Sequence, residues 1–229
     1  QRMASSLRDY GVKRINVSLD SLRPRRFRQL TRHGNLDQVL AGIDAAVAAG
    51  FERIRINAVI LKHRNEDEVL DLVDFACARG NDITFIEEMP LRRIREHDRT
   101  LSFCSSAELR AIIGQRYSLH PLGDPGSNEG PARYFSLTGS ASRLGFISPH
   151  SENFCHLCNR VRVTAEGRLL LCLGNEHSMD LRAVLRNRHY TLDSLKMAIM
   201  DAMAIKPERH HFNHTGEPQI LRFMNATGG

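Results

Sequence analysis

The sequence predicts an α/β fold: a first half of parallel βα units, followed by a smaller α+β segment that carries three cysteines. Three observations point there. Apolar runs of strand length alternate with helical periodicity between residues 15 and 87. Each periodic stretch stops at a glycine, the residue that most readily closes a helix. A Cys-x-x-Cys pair, followed after thirteen intervening residues by a third cysteine, stands apart from the other cysteines.

Taken in order, Ile15 to Asp20 reads as a strand. Leu36, Val39, Leu40, Ile43 and Val47 recur at helical spacing, which predicts a helix from Leu36 to Ala49 ended by Gly50. Ile54 to Leu61 is the next strand. Val69, Leu72, Val73 and Ala76 mark a second amphipathic helix that Gly80 ends, and Ile83 to Glu87 is a third strand. This order implies right-handed crossovers and a parallel sheet. The strand runs read as apolar on both faces, as in parallel sheets covered on both sides. Gly123 to Pro131 is rich in Gly, Pro and Ser and reads as a linker or ordered loop. Arg133 to Thr138 and Leu144 to Ile147 read as short strands. The cysteine segment follows, then helices near Leu181 to Arg188 and from about Leu192 to Ala204, then a polar tail. Two domains are expected, residues 1–125 and 126–229.

The 229 residues can bury a sizeable core without disulfides. No apolar run approaches the ~18 residues of a membrane helix, so the expectation is a cytoplasmic protein without membrane contact. Lys and Arg total 32 against 26 acidic residues, a net charge of +6. Only Lys13, Lys62, Lys196 and Lys206 are lysines; the rest are arginines. This fits either an Arg-biased composition or an anionic ligand, because guanidinium forks match phosphate geometry. No basic block marks a nucleic-acid tail, and no nucleic-acid partner is expected. The chain opens on Gln1, and the expectation is that further sequence lies upstream.

Ligands of parallel α/β sheets sit at the carboxyl ends of the strands. Those ends carry Ser18 and Asp20, then Lys62, then Glu87, Glu88 and Met89. Each also has an ordinary reading: Asp20 with Ser21 can simply start a turn, and Lys62 can be a solvated loop lysine.

Five cysteines is an odd number, and Cys155, Cys158 and Cys172 fall within 18 residues while Cys77 and Cys104 lie far off. Such a cluster in a chain not expected to be exported reads as reduced thiols that bind a metal. Iron–sulfur and zinc both fit the spacing. Zinc needs a fourth ligand, which His150, His156 or His177 can supply. A thioredoxin-type pair would not need Cys172, and haem attachment needs a histidine where Asn159 stands. Three cysteines around a [4Fe-4S] cube leave one iron open to a substrate atom. Arg160 and Arg162, spaced i and i+2, share one face if the segment is a strand. They make either a phosphate clamp or two ordinary surface arginines. His210, His211 and His214 in the tail are either a metal tract or polar residues near an anionic substrate.

The run Asn153-Phe154-Cys155-x-x-Cys158-Asn159-Arg160-Val161-Arg162, then Gly167-x-Leu169-x-x-Cys172-Leu173, resembles the C-terminal cluster segment of the GTP 3′,8-cyclases, the radical S-adenosylmethionine (SAM) enzymes of molybdenum cofactor biosynthesis. The likeness continues through Leu181-Arg182 to Gly228-Gly229. It also takes in Arg14 to Asp20, Asn57-Ala58-Val59-Ile60 before Lys62, and Phe85-Ile86-Glu87 before Met89. The resemblance implies an incomplete (β/α) radical SAM barrel with a C-terminal domain that holds a second [4Fe-4S] cluster. The first cluster of that family sits on a C-x3-C-x2-C motif, which this sequence lacks; the expectation is a C-terminal part, inactive alone, of a longer enzyme. The resemblance implies Cys155, Cys158 and Cys172 as cluster ligands, with Lys62, Arg160 and Arg162 on GTP and Ser18 and Met89 on SAM. It further implies that Gly228 and Gly229 enter the active site, although Ala226-Thr227 stands where a bulky apolar residue often precedes the glycines. The implied reaction is abstraction of the ribose C3′ hydrogen of GTP by a SAM-derived radical, then attack of C3′ on guanine C8. An electron donor is implied, and a homodimer is compatible. Two other readings are a zinc-binding module without catalysis and a different radical SAM enzyme with an auxiliary cluster.

Overall fold

The computed structural model of the chain describes residues 2–90, 98–123, 130–210 and 212. It contains two compact units, residues 1–88 with 101–152, and residues 89–100 with 153–229.

The first unit begins with α1 (Ala4–Asp9), β1 (Arg14–Ser18), α2 (Pro24–Thr31), α3 (Leu36–Ala48), β2 (Arg53–Val59), α4 (Val69–Ala78) and β3 (Asp82–Ile86). The chain re-enters it at the end of a short helix, α5 (Arg99–Ser102), and continues through α6 (Ser106–Gly114), β4 (Leu119–Pro121), β5 (Arg133–Leu137) and β6 (Arg143–Ile147). The sheet order is β1-β2-β3-β6-β5-β4. The first four strands are parallel neighbours, and β5 and β4 are antiparallel additions. The fold is therefore mixed α/β with a parallel-rich sheet. Because β6 pairs with β3, the sheet runs on past the domain boundary expected at residue 125.

Local chemistry sets the helix ends. The Asn35 side chain accepts from the Gln38 N–H at the start of α3, and Gly50 closes that helix with φ of 72°. Ser105 and Glu108 form a reciprocal capping box on α6. The box is legible in the sequence as Ser-x-x-Glu.

The strands are not apolar on both faces as expected. Val17, Ile56, Ile83, Leu144 and Phe135 lie in register and pack with Phe27, Ile43, Leu72, Val73, Leu109 and Ile113 of the helices. The opposite face carries Ser18, Asn57, Thr84, Gly145 and Tyr134 in one register row. The first row to its amino-terminal side holds Asn16, Arg55 and Asp82. The period-2 alternation of Arg53-Ile54-Arg55-Ile56-Asn57 is the physical reason: one face is covered by helices, the other is built of polar groups.

Buried carboxylates tie the loops of this unit. Glu68 is fully buried; it accepts from the Ser21 hydroxyl and the Leu22 N–H and pairs with Arg26 at 2.6 Å. A buried charge is tolerated only when paired and hydrogen-bonded in this way.

The second unit has a 3₁₀ turn at Cys155–Leu157 and a three-stranded antiparallel sheet, β7 (Arg162–Val163), β8 (Arg168–Leu170) and β9 (Ser178–Asp180). Helices α7 (Leu181–Leu185) and α8 (Leu192–Ala204) follow. Leu169, Leu171 and Ala202 form its small core with Met179 and Leu181. Helix α7 ends three residues before the expected Arg188. No helix among the described residues is long and apolar enough to cross a membrane.

Candidate functional site

In the first unit the polar sheet face is the candidate binding surface. Ser18 ends β1, is exposed, and pairs in register with Asn57. Asn57 Oδ1 and Thr84 Oγ1 on the same row are sealed from water without a hydrogen-bond partner among the described residues. Arg55 is half-buried; its Nε is also sealed without a partner among the described residues, and its Cζ lies 5.1 Å from the Tyr134 ring centroid. Unmade polar groups at buried positions are costly, so this face has bonding capacity that the described residues leave unused. The sequence reading missed Arg55. Its alternation with Ile54 and Ile56 was the available signal.

Asp82 and Arg143 close the amino-terminal side of this face. Arg143 donates to Asp82 through its backbone N–H at 2.9 Å and through Nε and Nη2 at 3.1 and 3.0 Å, and Arg53 joins at 3.2 Å. Asp20 is held at the other end. Burial pushes its carboxyl above the ordinary value, partly offset by the Val59 N–H that donates to it at 2.8 Å.

Lys62 follows β2 in the loop. Its Nζ sits 2.5 Å from Glu108 Oε1, and that hydrogen bond raises the Lys62 pKa. The same contact, with the Ser105 N–H, holds the Glu108 carboxyl down to about 2. Lys62 is therefore docked on the start of α6. Nearby Cys104 is buried, and burial pushes its thiol up to about 11.

Glu87, a strand-end candidate, is 1% exposed and saturated by its own unit. It accepts from the N–H groups of Ser106, His150 and Ser151, each at 3.0 Å, and from the Ser151 hydroxyl. It acts as a structural latch. His150, a candidate zinc ligand, contacts the Glu88 carbonyl at 3.1 Å through Nε2 and stacks edge-on against Phe103. Met89 is half-buried and belongs to the second unit.

In the second unit the cysteine segment folds by short-range hydrogen bonds. Asn153 Oδ1 accepts from the Cys155 N–H at 2.8 Å, and the Cys155 carbonyl accepts from the Cys158 N–H at 3.0 Å. The β7–β8 hairpin then brings the chain back. Arg162 pairs with Leu170 and Val163 with Leu169, and Cys172 follows the end of β8 by two residues. Cys172 lies within electrostatic reach of Cys155 and Cys158. Burial raises its thiol pKa and the two other cysteines add to this, while the Gly174 N–H, donating to Sγ at 3.3 Å, and Lys206 oppose it. All three thiols are free and half-buried. N–H donation to sulfur and a nearby ammonium suit thiolates that carry a cluster. Among the described residues no group of three or more His, Cys, Asp or Glu stands in a single-ion arrangement.

Arg162 opens β7 and is half-buried, whereas Arg160 is exposed and precedes the strand. Strand alternation alone therefore does not place them on one face as expected. Neither side chain carries an ion pair among the described residues. Gly228, Gly229, His211 and His214 lie outside the described residues. His210 is described; its Nε2 meets Asn153 Nδ2 at 3.1 Å.

Comparison with known proteins matches residues 81–212 to the family "Molybdenum Cofactor Synthesis C" and residues 1–76 to the "Radical SAM superfamily". The chain is 59% identical over 227 residues to the GTP 3′,8-cyclase of Marinobacter nauticus, covering 99% of this chain and 68% of that protein. It is 60% identical over 229 residues to that of Pseudomonas entomophila, covering 100% and 68%. GTP 3′,8-cyclase 1 of Pseudomonas aeruginosa is 58% identical over 229 residues, covering 100% and 69%. The chain thus spans about two thirds of the length of these relatives. With near-complete coverage at such identity, and both family models matched in chain order, the chain belongs to the GTP 3′,8-cyclase family of radical SAM enzymes.

Proposed function

We propose that this chain carries the GTP-binding and auxiliary-cluster parts of a GTP 3′,8-cyclase, which acts in molybdenum cofactor biosynthesis. The observation that supports this most directly is the return of Cys172 by the β7–β8 hairpin to electrostatic reach of Cys155 and Cys158, with Arg160 and Arg162 in the same segment. Three thiolates, each taking one corner iron of a [4Fe-4S] cube, need not converge on a point as the ligands of one zinc ion must. The parallel strands are read as a sector of the radical SAM barrel, with Ser18 and Met89 toward SAM. The unused donors of the polar face, Arg55 among them, face the nucleotide in this reading, and Lys62 reaches it by exchanging Glu108 for phosphate. Gly228 and Gly229 enter the site on the same reading.

When bound, SAM and the two clusters supply the radical chemistry of the family. The chain's own residues bind and orient. Arg160 and Arg162 give charge-assisted, forked hydrogen bonds to an anionic ligand. The polar face supplies fixed dipoles and a guanidinium. The reading includes an external electron donor, a cytoplasmic setting in which thiols stay reduced, and a homodimer.

Anaerobic reconstitution of the full-length enzyme tests this. Replacing Cys155, Cys158 or Cys172 by Ala should remove about four irons per chain and the matching iron–sulfur absorption, while the first cluster stays. Recovery of one tightly bound zinc at these cysteines, with no iron, would sink the reading.

A further inference from the structure

Two guanidiniums face one aromatic ring on the polar sheet face. Tyr134 is 3% exposed; Arg143 Cζ lies 4.5 Å and Arg55 Cζ 5.1 Å from its ring centroid. Both distances are within cation–π range. The two cations differ in their other contacts. Arg143 is engaged by Asp82 through three N–H groups. The Arg55 side chain carries no hydrogen bond or ion pair among the described residues, and its Nε is sealed from water.

The ring also has a built seat. Gly145 is the register partner of both Thr84 and Tyr134. A Cβ at Gly145 would lie 2.9 Å from Tyr134 Cε1 and 2.8 Å from Thr84 Oγ1, closer than real contacts allow. Glycine here leaves the space that the ring edge occupies. A leucine at position 134 would fill similar volume, but it has no electron-rich face. An arginine on such a face loses rotamer freedom in the free protein, so less remains to be lost when it meets an anion.

We propose that Tyr134 is a positioning residue: seated on Gly145, its ring holds the Arg55 guanidinium ready for the phosphates of the nucleotide, while Asp82 keeps Arg143 occupied. This rests on the reading of the polar face as the nucleotide site. Arg55 supplies the contact to the anion; Tyr134 acts only through Arg55.

The test is GTP binding to the anaerobically reconstituted full-length enzyme, with iron content and melting temperature as checks on integrity. Tyr134→Leu should weaken GTP binding about three- to tenfold, and Tyr134→Phe, which keeps the ring, should stay within about twofold. Arg55→Met should weaken it about ten- to a hundredfold. In the Arg55→Met background Tyr134→Leu should add nothing. Equal fold losses for Tyr134→Leu with and without Arg55 would overturn the proposal, as would a Tyr134→Phe loss as large as that of Leu. If Tyr134→Leu does not fold, Gly145→Ala displaces the ring instead and should weaken binding in the same Arg55-dependent way. Unchanged affinity in Arg55→Met would refute the polar-face nucleotide site itself, whereas a large Arg55→Met loss with a neutral Tyr134→Leu refutes the positioning role alone.

Discussion

Removing the Glu87 carboxylate should loosen the carboxyl end of β3 more than any surface change in this chain. In Glu87→Ala, the N–H groups of Ser106, His150 and Ser151 lose their common acceptor at a position that is 1% exposed. Each unmade buried hydrogen bond costs about 1–3 kcal/mol, and partial rescue by water keeps the sum to about 3–5 kcal/mol. Glu87→Gln should cost less. Its NH₂ can replace Oε1, because the Ser151 hydroxyl on that side can turn and accept; the Ser106 N–H is then orphaned, at about 1–3 kcal/mol. At about 2–4 °C per kcal/mol, Ala should lower the melting temperature by roughly 6–20 °C and Gln by roughly 2–12 °C. Differential scanning fluorimetry of the full-length enzyme reads both, and amide exchange should speed up at Ser106, His150 and Ser151. An Ala variant that melts within about 1 °C of the parent, with exchange unchanged at these three amides, would refute the latch.

Other outcomes follow from the same contacts. Glu108 has a depressed folded pKa, so its stabilising contribution is complete above the ordinary value of 4.5 and is lost as pH falls through about 2. Glu108→Gln should flatten the acid limb of urea midpoints measured between about pH 6 and 3, and an unchanged limb would contradict the Lys62 pairing. Arg160→Ala and Arg162→Ala should each weaken GTP binding by about ten- to a hundredfold with the cluster spectrum intact, and Lys should recover little; unchanged affinity in both would make them ordinary surface arginines. Cys77, partly buried against the main core, should accept Ala with full cluster content, as iron analysis would show.

Where one covered face set the pattern, the sequence was readable. Leu36, Val39, Leu40, Ile43 and Val47 have one side to bury, and α3 runs from Leu36 to Ala48, one residue short of expectation. Helix α2 was missed because only Phe27 of its residues is buried, and its arginines gave no apolar stripe. Strands β4, β8 and β9 have three residues each, too few for a period to show. The cysteine triplet was visible as spacing, and the hairpin that returns Cys172 follows from the turn at Gly167, whose φ of 81° suits glycine. Arg55 was hidden for another reason. Arg55 lies between two isoleucines in a run that reads as buried on both sides, and only strand pairing shows that its polar residues share a face with Ser18 and Tyr134. The roles of Lys62 and Glu87 likewise depend on partners more than 15 residues away, Glu108 for the one and Ser106, His150 and Ser151 for the other.

The pairing of β6 with β3 has a consequence for how the chain is made. Asp82 waits for Arg143, 61 residues later, and Glu87 waits for His150 and Ser151, 63 and 64 residues later. At about 5–20 residues per second, the ribosome leaves these carboxylates without those partners, and the edge of β3 open, for roughly 3–13 seconds. Contacts so distant in sequence also form slowly after release. The same β3 edge that later receives β6 is, in that interval, a template for any other strand in the cell, so yield should depend on synthesis rate and chaperone supply more steeply than the finished enzyme's stability would suggest.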